Sequence, residues 1–276
     1  MTPGFTNDDT VARLGAVSFL NTRPLVCGLD DDPRVELQYA VPSALPGLLA
    51  EGRVDAALIP VIDLARNADK WERVSDSCIA SDGRTLTVRV FSKVPPDRME
   101  VLHVDPDSHT SVALARLIWK HVYRRPLRIE PAGPAEDLRN RESVLLIGDK
   151  VATTPMLWFD YHVDLGDAWK KWTGLPFVFA VWARRKDREN EAATGRRSAA
   201  EIARILETAR DQGTARAAEI GAEYGPKRDW PTALAVEYLT RALMFKLTPA
   251  ALAGMNRYIE LVTEAGLISP GSSRGA

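Results

Sequence analysis

Two short polar clusters follow apolar runs in this sequence, and each carries side chains that could bind an organic acid. The first is Asn21-Thr22-Arg23, which comes after the apolar run ending at Val17 and before Pro24. Its amide, hydroxyl and guanidinium groups can all donate hydrogen bonds to a carboxylate. The cluster is interpreted either as turn chemistry between a strand and a helix or as a set of donors that face a ligand.

The second cluster is Ser108-His109-Thr110-Ser111, which follows a strand ending at Asp105 and opens an amphipathic helix. The first N–H groups of a helix have no intrahelical partners and carry a positive partial charge. Hydroxyl side chains at this position either cap the helix or, together with the free amides, hold a carboxylate. The density of hydroxyls in this cluster adds weight to the anion site, and both interpretations stay open.

Gly148 and Asp149 stand at the carboxyl end of another strand, in LLIGDKVA, the side of an α/β sheet where ligands bind. Asp149 is interpreted either as a substrate contact or as the cap of the next helix. His109, inside the second cluster, is a candidate general base. The histidines have no metal-site spacing and the sequence has no phosphate loop or dinucleotide fingerprint, so we expect no cofactor.

The composition is typical of a soluble globular protein with a hydrophobic core. Of its 276 residues, 45% are hydrophobic and 26% are charged, and the formal net charge is -1. This balance favours neither a nucleic-acid nor a membrane partner. The first ten residues lack the basic start and apolar core of a secretory signal, so we expect a cytoplasmic protein.

The elements that would position these residues begin as an alternation of strands and helices, which indicates a parallel sheet covered by helices. Two long strands, Thr85–Ser92 and Phe177–Trp182, flank a second α/β block, and helical segments end the chain. We predict two α/β lobes joined by these crossover strands, with a cleft between them. The first lobe is discontinuous (1–92 and 183–276) and the second is inserted (93–182). One eight-stranded sheet is the alternative.

Five motifs together resemble the chorismate dehydratases of the futalosine route to menaquinone. They are VSFLNTRPL, GRVDAALIPV, SHTSVALARLI, LLIGD and, the most specific, DLGDAWKKWTGLPFVFAVWA. The resemblance extends from about Arg13 to about Gly266 and implies the two-lobed fold of type 2 periplasmic binding proteins, used for cytoplasmic catalysis. The sister enzyme that makes 1,4-dihydroxy-6-naphthoate carries a Ser-Pro-Cys-Pro-Asn-Asp type of motif after its first strand, and this chain lacks it.

The resemblance also implies roles for individual residues. Asn21 matches the pocket asparagine of the family, and Thr87 stands on the crossover strand where relatives are expected to carry serine, so its hydroxyl is retained with an added methyl group. Asn21 and Thr87 are the implied catalytic residues. The implied substrate-binding residues are Ser108, Thr110, Ser111, Gly148 and Asp149.

The implied reaction is the dehydration of chorismate to 3-[(1-carboxyvinyl)oxy]benzoate and water, the first step of that route. The base is taken to be the enolpyruvyl carboxylate of the substrate, which would gain the proximity advantage of an intramolecular group. His109 and Asp149 are the alternative bases. The expected partner is the small-molecule substrate alone, and the expected assembly is a monomer or a homodimer.

Other functions fit parts of the sequence. A non-catalytic solute-binding protein for a small carboxylate would share the fold, and so would the naphthoate synthase sister enzyme. A transcriptional effector domain would need a DNA-binding segment, for which the ten residues before the first strand are too few.

Overall fold

The computed structural model describes residues 11–105, 107–133, 135–188 and 197–268. Residues 1–10 and 269–276, which are the two termini of the predicted first lobe, lie outside the described residues. The described strands are β1 (Ala12–Val17), β2 (Val35–Ala40), β3 (Ala56–Pro60), β4 (Trp71–Ser81), β5 (Val88–Ser92), β6 (Val101–Val104), β7 (Arg128–Pro131), β8 (Ser143–Ile147), β9 (Tyr161–Asp164), β10 (Phe177–Arg185) and β11 (Met244–Lys246).

Some of the described α-helices begin at a residue whose side chain caps the first turn, whereas the others have no such cap. Ser198 and Glu201 form a reciprocal capping box at the start of one helix, and Thr248 caps the last helix with Pro249 in its first turn. The described α-helices are α1 (Leu45–Ala50), α2 (Val61–Arg66), α3 (His109–His121), α4 (Asp149–Thr153), α5 (Leu165–Thr173), α6 (Ala199–Ala215), α7 (Ala217–Tyr224), α8 (Thr232–Glu237) and α9 (Pro249–Glu264).

The described strands form two sheets rather than one. The first sheet has six strands in the order β11-β4-β10-β3-β1-β2, and its β1, β2 and β3 run parallel as the strand–helix alternation predicts. The second sheet has five strands in the order β7-β6-β8-β5-β9. We call the first sheet with its helices the first lobe, and the second sheet with α3 and α4 the second lobe. None of the described helices is long and apolar enough to span a membrane.

The two long strands do not cross between the lobes as the sequence analysis expected. β5 pairs with β8 and β9 inside the second sheet, and β10 pairs with β3 and β4 inside the first. The chain instead changes lobe in the segments 82–87 and 165–176, several residues away from the predicted boundaries. Thr85, Leu86 and Thr87 therefore belong to a connection rather than to the strand that was predicted to begin at Thr85.

A single carboxylate explains why the strand begins late. Asp164, at the end of β9, accepts hydrogen bonds from the backbone N–H groups of Thr85 at 3.0 Å and Leu86 at 2.9 Å. It also accepts the N–H of Gly166 at 3.1 Å and so caps α5. The amides that would have continued the ladder of β5 are used here, and Leu86 takes a positive φ of 64°. Asp164 thus links the two inter-lobe connections, 82–87 and 165–176, through hydrogen bonds to both.

The segment after Pro231 departs from its predicted form. Its apolar spacing predicts one continuous helix, but α8 is followed by a π-helical turn, Tyr238–Ala242, and then by β11. The helix ends because β11 pairs with β4, which without β11 would be the edge of the sheet and so offers backbone partners that propensity alone does not anticipate. The π-helical turn rotates Tyr238 to a fully buried position between the lobes.

Candidate active site

A cavity lies between the two lobes. Its walls come from both sheets and from the connection before β5. Six of the residues predicted to bind or transform the ligand line it: Asn21, Thr87, Ser108, Thr110, Ser111 and Gly148. The remaining lining is mainly apolar, so a polar ligand would depend on a small number of fixed donors.

The start of α3 is open towards this cavity. Ser108 occupies the N-cap position, yet its side chain caps no amide of the helix. Its hydroxyl is buried and has no hydrogen-bond partner among the described residues. Burying a hydroxyl without a partner is costly. The arrangement therefore favours the ligand-facing interpretation of the cluster over the plain N-cap.

Thr110 and Ser111 follow in the first turn of α3, and both are buried in the cavity wall. The hydroxyl of Thr110 lies 3.4 Å from the backbone N–H of Ile62, which donates to it, and 3.4 Å from the carbonyl of Phe179, which accepts from it. Thr110 therefore joins the second lobe to the first as well as lining the cavity. The hydroxyl of Tyr258 donates to the Thr110 carbonyl at 3.0 Å and holds this end of the helix in place.

Thr87 forms a hydrogen bond with Tyr238, a residue that the sequence analysis did not single out. Its buried hydroxyl lies 2.8 Å from the hydroxyl of Tyr238, and its carbonyl accepts the N–H of Gly148 at 2.9 Å. The amide of Gly148 is therefore occupied by Thr87. Burial raises the pKa of Tyr238 above its ordinary value, so the phenol is protonated at neutral pH.

Asn21 lies on a 3-10 helix, Leu20–Val26, at the first-lobe side of the cavity. Its side-chain oxygen accepts a hydrogen bond from the hydroxyl of Thr22 at 3.3 Å. Its amide interacts with the hydroxyl of Tyr238 and lowers the pKa of that phenol against the larger effect of burial. Thr22 thus orients Asn21 instead of capping the helix.

His109 lines the cavity and forms an ion pair with a residue of the other lobe. Its Nδ1 lies 2.7 Å from Oδ2 of Asp63, a buried residue of α2. The hydrogen bond that His109 donates to the Asp63 carboxylate is the main reason why the pKa of His109 is raised above its ordinary value. Among the described lining residues, His109 is the one basic side chain, and Asp107 is the one carboxylate.

Asp149 departs from the expectation that it binds substrate, because it is not part of the cavity lining. Its carboxylate accepts the backbone N–H of Leu20 at 3.1 Å and pairs with Arg228 at 2.9 Å. Arg228 also donates to the carbonyl of Ser18. Asp149 does not cap α4 either, since Gly148 holds the cap position. Its oxygens are occupied by contacts with the first lobe, which also removes it from reach as a base.

Arg23 lies outside the cavity lining, although it belongs to the same cluster as Asn21. Its guanidinium group packs over the rings of Tyr39 at 5.1 Å and Tyr224 at 4.6 Å, and it pairs with Asp30 at 3.3 Å. Cation–π and ion-pair contacts of this kind stabilise the surface of the first lobe. Arg23 therefore neither supplies charge to the cavity nor points freely into solvent.

Sequence reasoning missed Tyr238, Asp63 and Arg228. Tyr238 sits in an apolar helical pattern, where an aromatic side chain indicates core packing. Asp63 and Arg228 have no motif around them, and each becomes relevant only through a partner more than 40 positions away in the chain. The helix-start hydroxyls offered a local signal, whereas these three residues offered none.

Sequence comparison relates the chain to proteins of menaquinone biosynthesis. The profile of a family described as "Menaquinone biosynthesis" matches residues 12–264. A chorismate dehydratase from Thermus thermophilus is 29% identical over 66% of this chain and 70% of its own length. A chorismate dehydratase from Campylobacter jejuni is also 29% identical, over 60% of this chain and 64% of its own length.

Structural comparison concerns the fold alone, because the identities are low. Protein AF1704 from Archaeoglobus fulgidus superimposes with a TM-score of 0.74 at 16% identity and covers 93% of this chain and 98% of its own. The periplasmic aliphatic sulphonate binding protein SsuA from Escherichia coli gives a TM-score of 0.58 at 12% identity, covering 94% of each chain. The predicted fold of two periplasmic-binding-protein-like lobes is confirmed.

Proposed function

The chain belongs to the menaquinone biosynthesis family whose profile spans residues 12–264, and on that premise we propose that it is a chorismate dehydratase. As a hydro-lyase it would convert chorismate to 3-[(1-carboxyvinyl)oxy]benzoate and water in the first step of the futalosine route. The named relatives from Thermus thermophilus and Campylobacter jejuni support this activity. It would act in the cytoplasm as a monomer or a homodimer, with chorismate as its partner.

The observation that carries the proposal is the shared cavity of Asn21, Thr87 and Ser108, in which the buried hydroxyl of Ser108 has no partner within the part of the chain that the structure describes. Chorismate has two carboxylates, a C4 hydroxyl and an enolpyruvyl ether at C3. A largely apolar cavity with fixed amide and hydroxyl donors suits such a molecule, because these groups need no reorganisation when charge develops.

The chemistry begins at the C3 hydrogen, which is acidic because it is conjugated through C2=C1 to the ring carboxylate. Its removal would move negative charge onto that carboxylate, and formation of the aromatic ring would then expel the C4 hydroxyl as hydroxide, which becomes water by taking up the proton removed from C3. Each donor aimed at the developing charge contributes about 3–4 kcal/mol in a measured case of this kind. The first-turn amides of α3 and the hydroxyl of Ser108 would serve the ring carboxylate, and Asn21 and Thr87 the leaving hydroxyl.

The base in this proposal is the enolpyruvyl carboxylate of the substrate. Asp149 is occupied by Leu20 and Arg228, and His109 is paired with Asp63 in a form that favours the protonated ring. A protonated His109 would bind a carboxylate of the dianion rather than accept the C3 proton. Intramolecular groups held in the right orientation gain several kcal/mol over separate reactants, about 7–11 in the best cases.

The test is incubation of the purified protein with chorismate, with chromatographic detection of the aromatic product. Formation of 3-[(1-carboxyvinyl)oxy]benzoate supports the proposal. Chorismate that binds but is returned unchanged would identify a solute-binding protein instead. Chorismate that neither binds nor reacts would favour the naphthoate synthase sister enzyme, whose substrate is different.

A further inference from the structure

The hydroxyl of Tyr238 is buried between the two residues to which the resemblance assigns catalysis. It lies 2.8 Å from the hydroxyl of Thr87 and interacts with the side chain of Asn21. We propose that Tyr238 is a positioning residue, whose hydroxyl donates to Thr87 and thereby directs the Thr87 proton into the cavity, towards the leaving hydroxyl. This inference deepens the proposed dehydration and rests on it.

The direction of donation follows from the order of the groups. The interaction with Asn21 lowers the pKa of Tyr238, which is the effect of an amide N–H that donates to the phenol oxygen. An amide N–H can only donate, which makes the phenol oxygen the acceptor of that bond. The phenol proton then goes to Thr87, because a phenol is a stronger donor than an alcohol. The Thr87 proton is left free to bond to a ligand.

The surroundings keep Tyr238 from turning away from Thr87. Its ring stacks on the ring of Trp230 with the centroids 4.9 Å apart and the planes at 21°. The ring is fully buried, and the residue lies at the start of the π-helical turn that follows α8. Short π-helical turns are frequent at functional sites. A donor held in this way loses little entropy when the substrate binds.

No proton passes through Tyr238 in this scheme. Its burial keeps the phenol protonated, so the residue acts by orienting a hydrogen bond. The charge that develops on the leaving C4 oxygen is met by the Thr87 hydroxyl, and the bond becomes stronger as the carbon–oxygen bond breaks. Loss of Tyr238 should therefore lower kcat while substrate binding changes little.

The test compares Tyr238→Phe, Thr87→Val and the double variant with the wild type in the full-length protein. Tyr238→Phe keeps the stacked ring and removes only the hydroxyl. We expect kcat to fall about 10²-fold, as for loss of one donor to a developing charge, with KM changed by less than about threefold. Thr87→Val should lose at least as much, and adding Tyr238→Phe to it should cost nothing more, because Tyr238 acts through Thr87.

The control is Tyr39→Phe, which removes a hydroxyl bonded to Asp30 outside the cavity and should leave kcat unchanged. If Tyr238→Phe retains kcat, or if its effect multiplies fully with that of Thr87→Val, Tyr238 has only a structural role and the inference is overturned. A wild-type protein that does not consume chorismate would instead overturn the proposed function, on which the inference depends.

Discussion

The carboxylate of Asp149 in the second lobe is paired with Arg228 of the first lobe at 2.9 Å. The same carboxylate accepts the backbone N–H of Leu20, and Arg228 reaches the carbonyl of Ser18. Both lobes are therefore fastened at the segment that leads into the Asn21 helix. The pair is partly exposed and lies outside the cavity lining, so it can favour the closed arrangement without touching the substrate.

Breaking this pair should weaken substrate binding more than turnover. In Arg228→Ala we expect KM to rise about tenfold, which corresponds to about 1.4 kcal/mol of lost closure, with a smaller change in kcat. Steady-state kinetics measures both quantities. Lys227→Ala removes the neighbouring surface pair with Glu223 and is the matched control, expected to be neutral. An unchanged KM in Arg228→Ala would mean that the contact does not favour closure.

Gly148 is needed for the lobes to approach each other. It has a φ of +67°, and a Cβ at this position would lie 2.6 Å from ring atoms of Phe19 in the first lobe. Gly148→Ala should therefore reduce kcat/KM by at least about 10²-fold, since a misplacement of about 1 Å at the site can cost that much. The measurement is kcat/KM together with the melting temperature.

Gly174→Ala is the matched control for Gly148→Ala, because it introduces the backbone strain of a positive φ without a clash of the added Cβ. Gly174 has a similar φ of +75° but nothing within 4 Å of the added Cβ. It should lose about 1 kcal/mol of stability and keep its activity. Equal loss of activity in both variants would contradict the proposed role of the Phe19 contact.

Ser108→Ala should weaken substrate binding without lowering the stability of the fold. The Ser108 hydroxyl has no partner among the described residues, so its removal should leave the free energy of unfolding unchanged or raise it by up to about 1 kcal/mol. If it binds a substrate carboxylate, the lost charged hydrogen bond should raise KM about tenfold or more. Urea unfolding and kinetics measure the two effects.

Ser92→Ala is the matched control, because this buried hydroxyl donates to the carbonyl of Val94 at 2.7 Å in the second lobe. It should lose about 1 kcal/mol of stability with KM unchanged. A Ser108→Ala variant that behaves like Ser92→Ala would show that the Ser108 hydroxyl serves the fold rather than the ligand.

The ion pair between His109 and Asp63 should make stability depend on pH. The pKa of His109 is raised by Asp63, so the contribution of the pair is fully present below the unfolded pKa of about 6.5 and is lost as the pH rises through the higher folded pKa. Melting temperatures of the wild type should fall towards those of His109→Gln over this interval. Parallel curves for the two proteins would contradict the expected linkage.

The same histidine tests the identity of the base. With the substrate carboxylate as base, His109→Ala should raise KM about tenfold through loss of a charge partner, while kcat falls less than about tenfold. A fall in kcat of about 10³-fold or more with product affinity retained would make His109 the base, because general-base catalysis contributes up to about 10⁴-fold.

Asn21→Ala should lower turnover more than it raises KM. Removing one preorganised donor costs about 10²–10³-fold in kcat in a comparable case. Arg23→Ala, two positions along the same helix, is the control, because Arg23 contacts Tyr39 and Tyr224 outside the cavity and its loss should affect stability alone. Similar kinetic losses in the two variants would exclude a specific role for Asn21.

Local patterns in the sequence account for much of the fold. Alternation of strands and helices predicts the parallel β1, β2 and β3, and the Thr248-Pro249 pair predicts the start of α9. These features depend on neighbours in the chain, which is why they can be read from it. The late start of β5 could not be predicted, because the carboxylate that takes its amides, Asp164, is about 80 positions away.

The candidate site also has features that the sequence predicts and features that depend on tertiary contacts. The sequence by itself determined that Asn21 and Ser108 carry donors at the ends of elements, because such positions have local signatures, and the family resemblance singled out Thr87. Only the tertiary structure decided that Tyr238 joins two of them and that Asp149 faces the first lobe instead of the ligand. Contacts of this kind depend on how the two lobes pack against each other. Many residues that are distant in the sequence contribute to the free energy of that packing, so no single segment predicts it.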